Sequence, residues 1–219
     1  MLVTLCSGAS YFQTAPSTPS PGLNEAQRIV EEMRGMSMSA EAIGKPTSRE
    51  EQRRQIIKRL HGLGASQTVI ALSAALRDPD IQMRQNAALA LIELGGGYSR
   101  DVTPPLDIRA ALTALMDATA DEDSGVRAWS AHAIAEMGPA ATPAIPALVR
   151  LLRDSEEGPR NTACIALGRI GPAAAEALPA LRHALNDPSS DVRGFARRAI
   201  DRIEGKSTPW IRTHARVAQ

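Results

Sequence analysis

The sequence predicts an all-α protein, a right-handed α-solenoid of about five two-helix repeats. Three observations carry that prediction. The first is a skeleton of Asp, Arg six residues later and Gly eleven beyond the Arg, which begins at Asp78 and returns down the chain. The second is composition: only 3% of the 219 residues are aromatic, so the core must be built from Ala, Leu, Ile, Val and Met. Such a core suits helices packed through small side chains better than strands, which favour aromatic and β-branched residues. The third is the spacing of apolar positions within each copy, which follows a helical period.

Arg84, Arg127, Arg160 and Arg193 serve as origins for the copies. Six residues before them stand Asp78, Asp121, Asp154 and Asp187, and six after stand Ala90, Ala133, Ala166 and Ala199. Leu91, Ile134, Leu167 and Ile200 follow at offset seven, with Leu94, Met137, Ile170 and Ile203 at offset ten. Offsets three, six, seven and ten share a narrow arc of a helix and form one buried stripe. The origins are 43, 33 and 33 residues apart, the first interval being enlarged by GGGYSRDVTPPLD. A thinner fifth copy surrounds Arg53, with Ile56, Leu60, Leu63 and Gly64 at the same offsets and Thr47 in place of Asp.

Taken in chain order, residues 1–22 are expected to be a flexible leader or the remnant of a truncated signal peptide, since 7–22 are rich in Ser, Thr, Pro and Gly. The solenoid is expected over 23–205, with residues 23–43 adding the first helix of an opening unit. First helices are read from VIALSAAL, IRAALTALM, AIPALVRLL and ALPALRHAL, and each helix should run roughly 10–14 residues, near the average for globular proteins. Asp80, Asp123 and Ser189 stand where a side-chain oxygen caps the second helix, with Glu156 a poorer cap in the third unit. Gly95, Gly138 and Gly171 suit the left-handed residue that ends a helix, and Gly205 stands one step late. Pro146 and Pro179 recur near the start of a first helix, where a missing N–H costs little. Residues 206–219 are read as a tail whose Trp210 and Ile211 cover the last repeat.

On these residues the chain resembles the HEAT-like repeat family, in particular the short repeats of phycobilin lyase subunits. The elements are visible in SSDVRGFARRAIDRI and RNTACIALGRIGPAA, and the resemblance covers about residues 47–205. It departs from the family pattern at Pro159, where Val usually precedes Arg, and in the insert after Gly95. The resemblance implies a structural ladder between successive repeats made by Asp78, Arg84, Asp121, Arg127, Asp154, Arg160, Asp187 and Arg193.

A net charge of +1 predicts no global attraction to nucleic acid or anionic membrane, and no run approaches the 18 apolar residues of a membrane span. Cys6 and Cys164 belong to no metal-ligand spacing. His61, His132, His183 and His214 are dispersed, and none is followed by Glu, which argues against the di-iron hydroxylases built on HEAT repeats. No HExxH, phosphate loop or nucleophile elbow occurs. The expectation is therefore a non-catalytic scaffold for another protein or peptide, with no cofactor and no metal. A lyase-type enzyme subunit and a nucleic-acid-binding HEAT-like protein are the alternatives. The compartment is open: cytoplasmic as written, exported if the leader is a signal remnant; the oligomeric state is open too.

Partner contacts are sought on the second helices, which should line the concave side. Offsets one, five and eight are expected to be exposed, which brings in Leu89, Ile92, His132, Ile165 and Arg198. Leu89, Ile92 and Ile165 are apolar for such places, so either the buried stripe is wider or they form a docking patch. Trp129 either anchors a partner or packs in the seam between repeats. Glu93, Glu136, Arg169 and Arg202, at offset nine, change the sign of the groove edge halfway along. Tyr98, Arg100 and Asp101 are the reactive-looking residues of the insert.

Overall fold

The computed structural model describes residues 24–34, 48–97 and 104–206. Helices α1 (Glu25–Glu31), α2 (Ser48–Gly62), α3 (Ala65–Ala75) and α4 (Ile81–Leu94) are followed by α5 (Leu112–Ala118) and α6 (Ser124–Glu136). Then come α7 (Ile145–Leu151), α8 (Glu157–Ile170), α9 (Leu178–Ala184) and α10 (Ser190–Ile203). None of the described residues forms a strand. The helices pair as α1 with α2, α3 with α4, α5 with α6, α7 with α8 and α9 with α10, which makes an α-solenoid. The second helices touch in sequence, α4 on α6, α6 on α8 and α8 on α10, whereas α5, α7 and α9 meet their neighbours mainly through the turns that precede them. Closer spacing on one side curves the stack toward that side, so the second helices line the inner face.

Capping chemistry sets the second helices. Asp80 accepts from the Gln82 amide at 2.9 Å and Asp123 from that of Val126 at 2.8 Å. Ser189 accepts from Asp191 and Val192, while Glu156 makes no side-chain cap. Gly138, Gly171 and Gly205 end their helices in the left-handed region. In the second unit that conformation falls on Gly96 (φ +98°) rather than Gly95, because the chain runs on one step before turning into the insert. The insert's far end is anchored by the Leu106 amide on the Leu94 carbonyl at 2.7 Å and by buried Ile108.

Of the first helices, α3 has the expected length with 11 residues, and the three that follow are shorter than expected. α5, α7 and α9 have seven α-helical residues each, and 3-10 turns at Gly138–Ala144 and Gly171–Ala177 precede the last two. Pro139, Pro143 and Pro146 in one unit, and Pro172 and Pro179 in the next, remove the amide donors an earlier α-helical start would need.

The core is one continuous cluster rich in Ala and Leu, with Ala87, Ala90, Ala133, Ala163, Ala166 and Ala196 all fully buried. The stretch Glu157–Ala184 is long and apolar enough by composition to cross a membrane, but it is broken at Gly171 and half of its most apolar window is buried inside the solenoid. It is read as core. Residues 1–22, the tail from 207 onward, and Tyr98, Arg100 and Asp101 lie outside the described residues.

Candidate partner-binding groove

Two edges of the second helices carry the polar residues that the repeat pattern singles out. The first is the turn between the two helices of a unit. There the Asp side chain accepts from the amide two residues on, as in Asp123 to Asp121, Glu156 to Asp154 and Ser189 to Asp187, each at 2.9 Å. The Arg six residues later closes the turn: Arg127 Nη1 donates to the carbonyls of Asp121 and Glu122, both at 2.9 Å, and Arg160 Nη1 to those of Asp154 and Ser155 at 2.8 and 2.9 Å. The other edge of each guanidinium then grips the Asp of the next unit. Arg84 Nε stands 2.8 Å from Asp121, Arg127 Nε 2.7 Å from Asp154 and Arg160 Nε 2.8 Å from Asp187, with Nη2 on the second carboxylate oxygen in every case. Such two-point pairing uses the planar fork that Lys lacks. Burial alone would raise the Asp154 and Asp187 carboxyls, but the Arg and amide donors outweigh it and hold both below the ordinary carboxylate range.

The ladder starts differently. Asp78 is gripped not by Arg53, the residue at the repeat origin, but by Arg34 at 2.8 and 3.2 Å. Arg53 instead pairs with Glu93 at 2.8 Å.

The second edge is the groove. Offsets two, five and nine fall on one face: Trp129, His132 and Glu136 on α6; Thr162, Ile165 and Arg169 on α8; Phe195, Arg198 and Arg202 on α10. All of these are half-buried except Arg198, which is exposed. Arg198 lies over the Phe195 ring at 4.7 Å, a cation–π contact. Glu136 pairs with Arg169 of the next helix and stands 3.3 Å from His132. Burial pushes the Glu136 carboxyl up, but the His132 and Arg169 hydrogen bonds prevail and hold it low.

On α4 the expected site fails. Leu89 is 6% exposed, Glu93 3% and Ile92 fully buried, so none of the three is available to a partner. Leu89 and Glu93 lie on the groove face, but the opening unit covers it: Arg53 reaches Glu93, and Asn86 donates to the Met33 carbonyl at 2.9 Å. Ile92 is at offset eight, which is a packing position. Ala135 and Gly168, its counterparts, are also buried, because α4, α6 and α8 each lie between two other inner helices and bury two sides. A Cβ on Gly168 would lie 3.1 Å from the Ala199 Cα, so α8 and α10 approach through backbone. Sequence reasoning drew the stripe for a helix with one neighbour. Nor does the groove edge present two fields of opposite sign, since Glu136 and Arg169 are joined and Glu93 is held by Arg53. The coverage of α4 has a sequence signal in the fifth copy around Arg53, which predicted a unit there.

Among the described residues no three His, Cys, Asp or Glu side chains converge on a metal-sized site. Cys164 is buried, and burial pushes its thiol up to about 12.

The fold and this face define the class, an α-solenoid of helical pairs with a curved inner surface. Residues 112–201 match the family model for HEAT repeats, and that stretch of the chain is built of HEAT-like repeats. No curated protein matches it in sequence. Among solved structures it is similar to the complex of CpcE and CpcF of phycocyanin lyase from Nostoc sp. PCC7120, with 24% identity over 88% of this chain and 70% of that one and a TM-score of 0.57. It is also similar to computationally designed armadillo repeat proteins for modular peptide recognition, with 20% identity, 84% of each chain and a TM-score of 0.54. An engineered protein matches with 21% identity over 83% of this chain and 80% of that one, at a TM-score of 0.54.

Proposed function

We propose that the chain is a non-catalytic scaffold that holds an extended segment of a partner protein along the inner faces of α6, α8 and α10. The observation that carries this reading is the row from Trp129 through Ile165 to Phe195. Large apolar side chains stand there half-buried on a face that three successive repeats leave open, while the equivalent face of α4 is closed. Polar groups in this row are tied to one another, as Glu136 is to Arg169 and His132, which favours a recognition surface over a reacting centre. The similarity to computationally designed armadillo repeat proteins for modular peptide recognition supports this reading.

The test is selection of peptides from a random display library against the intact protein, followed by titration of the best binders. Trp129→Ala should weaken them by about 30-fold, the effect of losing a central aromatic anchor of roughly 2 kcal/mol. Circular dichroism should show the fold retained. Peptides that bind the variant as tightly as the native chain would remove the groove from consideration.

A further inference from the structure

The ladder has a loose end. Arg193 is set in its turn as the other ladder arginines are, with Nη1 donating to the carbonyls of Asp187 at 2.7 Å and Pro188 at 2.9 Å. In Arg84, Arg127 and Arg160 the same pose leaves Nε and Nη2 side by side, and a carboxylate occupies them each time. Among the described residues no unit follows Arg193 and no carboxylate meets that edge. The molecule thus shows three times over what this half of the guanidinium accepts.

We infer that Arg193 is a preformed receptor for a carboxylate of a second protein, carried on an extended acidic segment that docks on the end of the solenoid. This surface lies at the end of the ladder, outside the groove, and does not depend on the groove being occupied. Three observations select the occupant. The end face rejects another closely stacked repeat: where Cys164 and Gly168 are buried against α10, the matching places on α10 carry Arg197, exposed, and Asp201. On the first helices Met116 and Val149 give way to Arg182, which crosses the end to Glu204 at 3.0 Å. Second, the surrounding charge is positive. Arg182, Arg197 and Lys206 are exposed there, with Arg182 and Lys206 sharing the one carboxylate of Glu204, and residues 193–219 hold seven Lys or Arg against two acids. Third, the ladder aspartates of the described residues are already occupied: Asp78 is taken by Arg34 and the other three by ladder arginines.

The experiment uses a fluorescein-labelled peptide copying residues 183–192, the loop whose Asp187 sits on Arg160 in the intact chain. Binding to the full-length protein is followed by fluorescence anisotropy and by the Arg Nε–H resonances in a nitrogen-15 spectrum. The expected result is a saturable shift of the Arg193 Nε–H and about tenfold weaker binding to Arg193→Lys, which keeps the charge and loses the fork. Because Arg193 also holds its own turn, the same peptide with Asp187→Asn, tested on the unaltered protein, must lose about as much. Equal binding of the Asp and Asn peptides, or an unmoved Arg193 resonance, overturns the assignment. Dimers in sedimentation equilibrium that Arg193→Lys dissolves would overturn it too, by making the occupant a second copy.

Discussion

α4 and α8 hold equivalent places in the stack, yet the groove face of α4 is closed and that of α8 is open. Both are anchored by a ladder arginine that makes the same contacts within its own turn and to the next unit. The difference lies on the other edge, where Leu89 and Glu93 are buried and Ile165 and Arg169 are not. A repeat protein can thus keep one edge constant for stacking and vary the opposite edge for recognition. Where the ladder changes, at Arg34 in place of Arg53, the groove closes as well, because Arg53 has turned to Glu93.

The ladder should respond alike in both halves, and its loss should be the largest effect. Asp154→Ala leaves the largely buried Arg127 without its carboxylate, at a cost of about 3 kcal/mol in urea unfolding, and Asp121→Ala should cost nearly as much, because Arg84 keeps only its pairing with the exposed Glu122 at 2.9 Å. A large gap between the two would show that the halves differ in more than the groove. Other carboxylates of the ladder and the groove, with Asp154, set an acid limit. Asp78, Asp154, Asp187 and Glu136 are held below their ordinary range in the folded chain, so as pH falls the unfolded chain takes up protons first. Their stabilisation is complete above the unfolded carboxyl pKa of about 4 and is lost as pH drops through the lower folded values. Asp154→Asn should flatten that part of the stability curve.

A middle-sized contrast lies at offset eight. Gly168→Val drives a side chain into Ala199 and should cost about 2 kcal/mol, whereas Ile92→Val removes one methylene and should cost about 1 kcal/mol. Paired thermal melts check the order. The smallest effect belongs to Arg77 and Asp117, which pair at 2.7 Å with both side chains more than half exposed. Arg77→Ala should change stability by less than about 0.5 kcal/mol, and a loss as large as that of Asp121→Ala would contradict the division between rungs and surface pairs.

Much of this was legible in the residues. The caps at Asp80, Asp123 and Ser189, the weak cap at Glu156 and the late Gly205 all follow from local chemistry that a neighbour cannot alter. The candidate site was legible only in part. Trp129, His132, Glu136, Ile165, Arg169, Arg198 and Arg202 fall on the open face, and Leu89, Ile92 and Glu93 do not. Phe195 and Thr162, at the same offset as Trp129, share the groove.

By itself the sequence determined the repeat, its two-helix unit, the helix ends and the small-residue stripe, because each depends on contacts within about a dozen residues. Only the tertiary structure decided which face of each inner helix stays open, that Arg34 rather than Arg53 starts the ladder, and that Arg193 meets no carboxylate among the described residues. Those outcomes depend on which helix lies alongside, and a side chain's burial is set by all its neighbours at once. A periodic pattern records one of them.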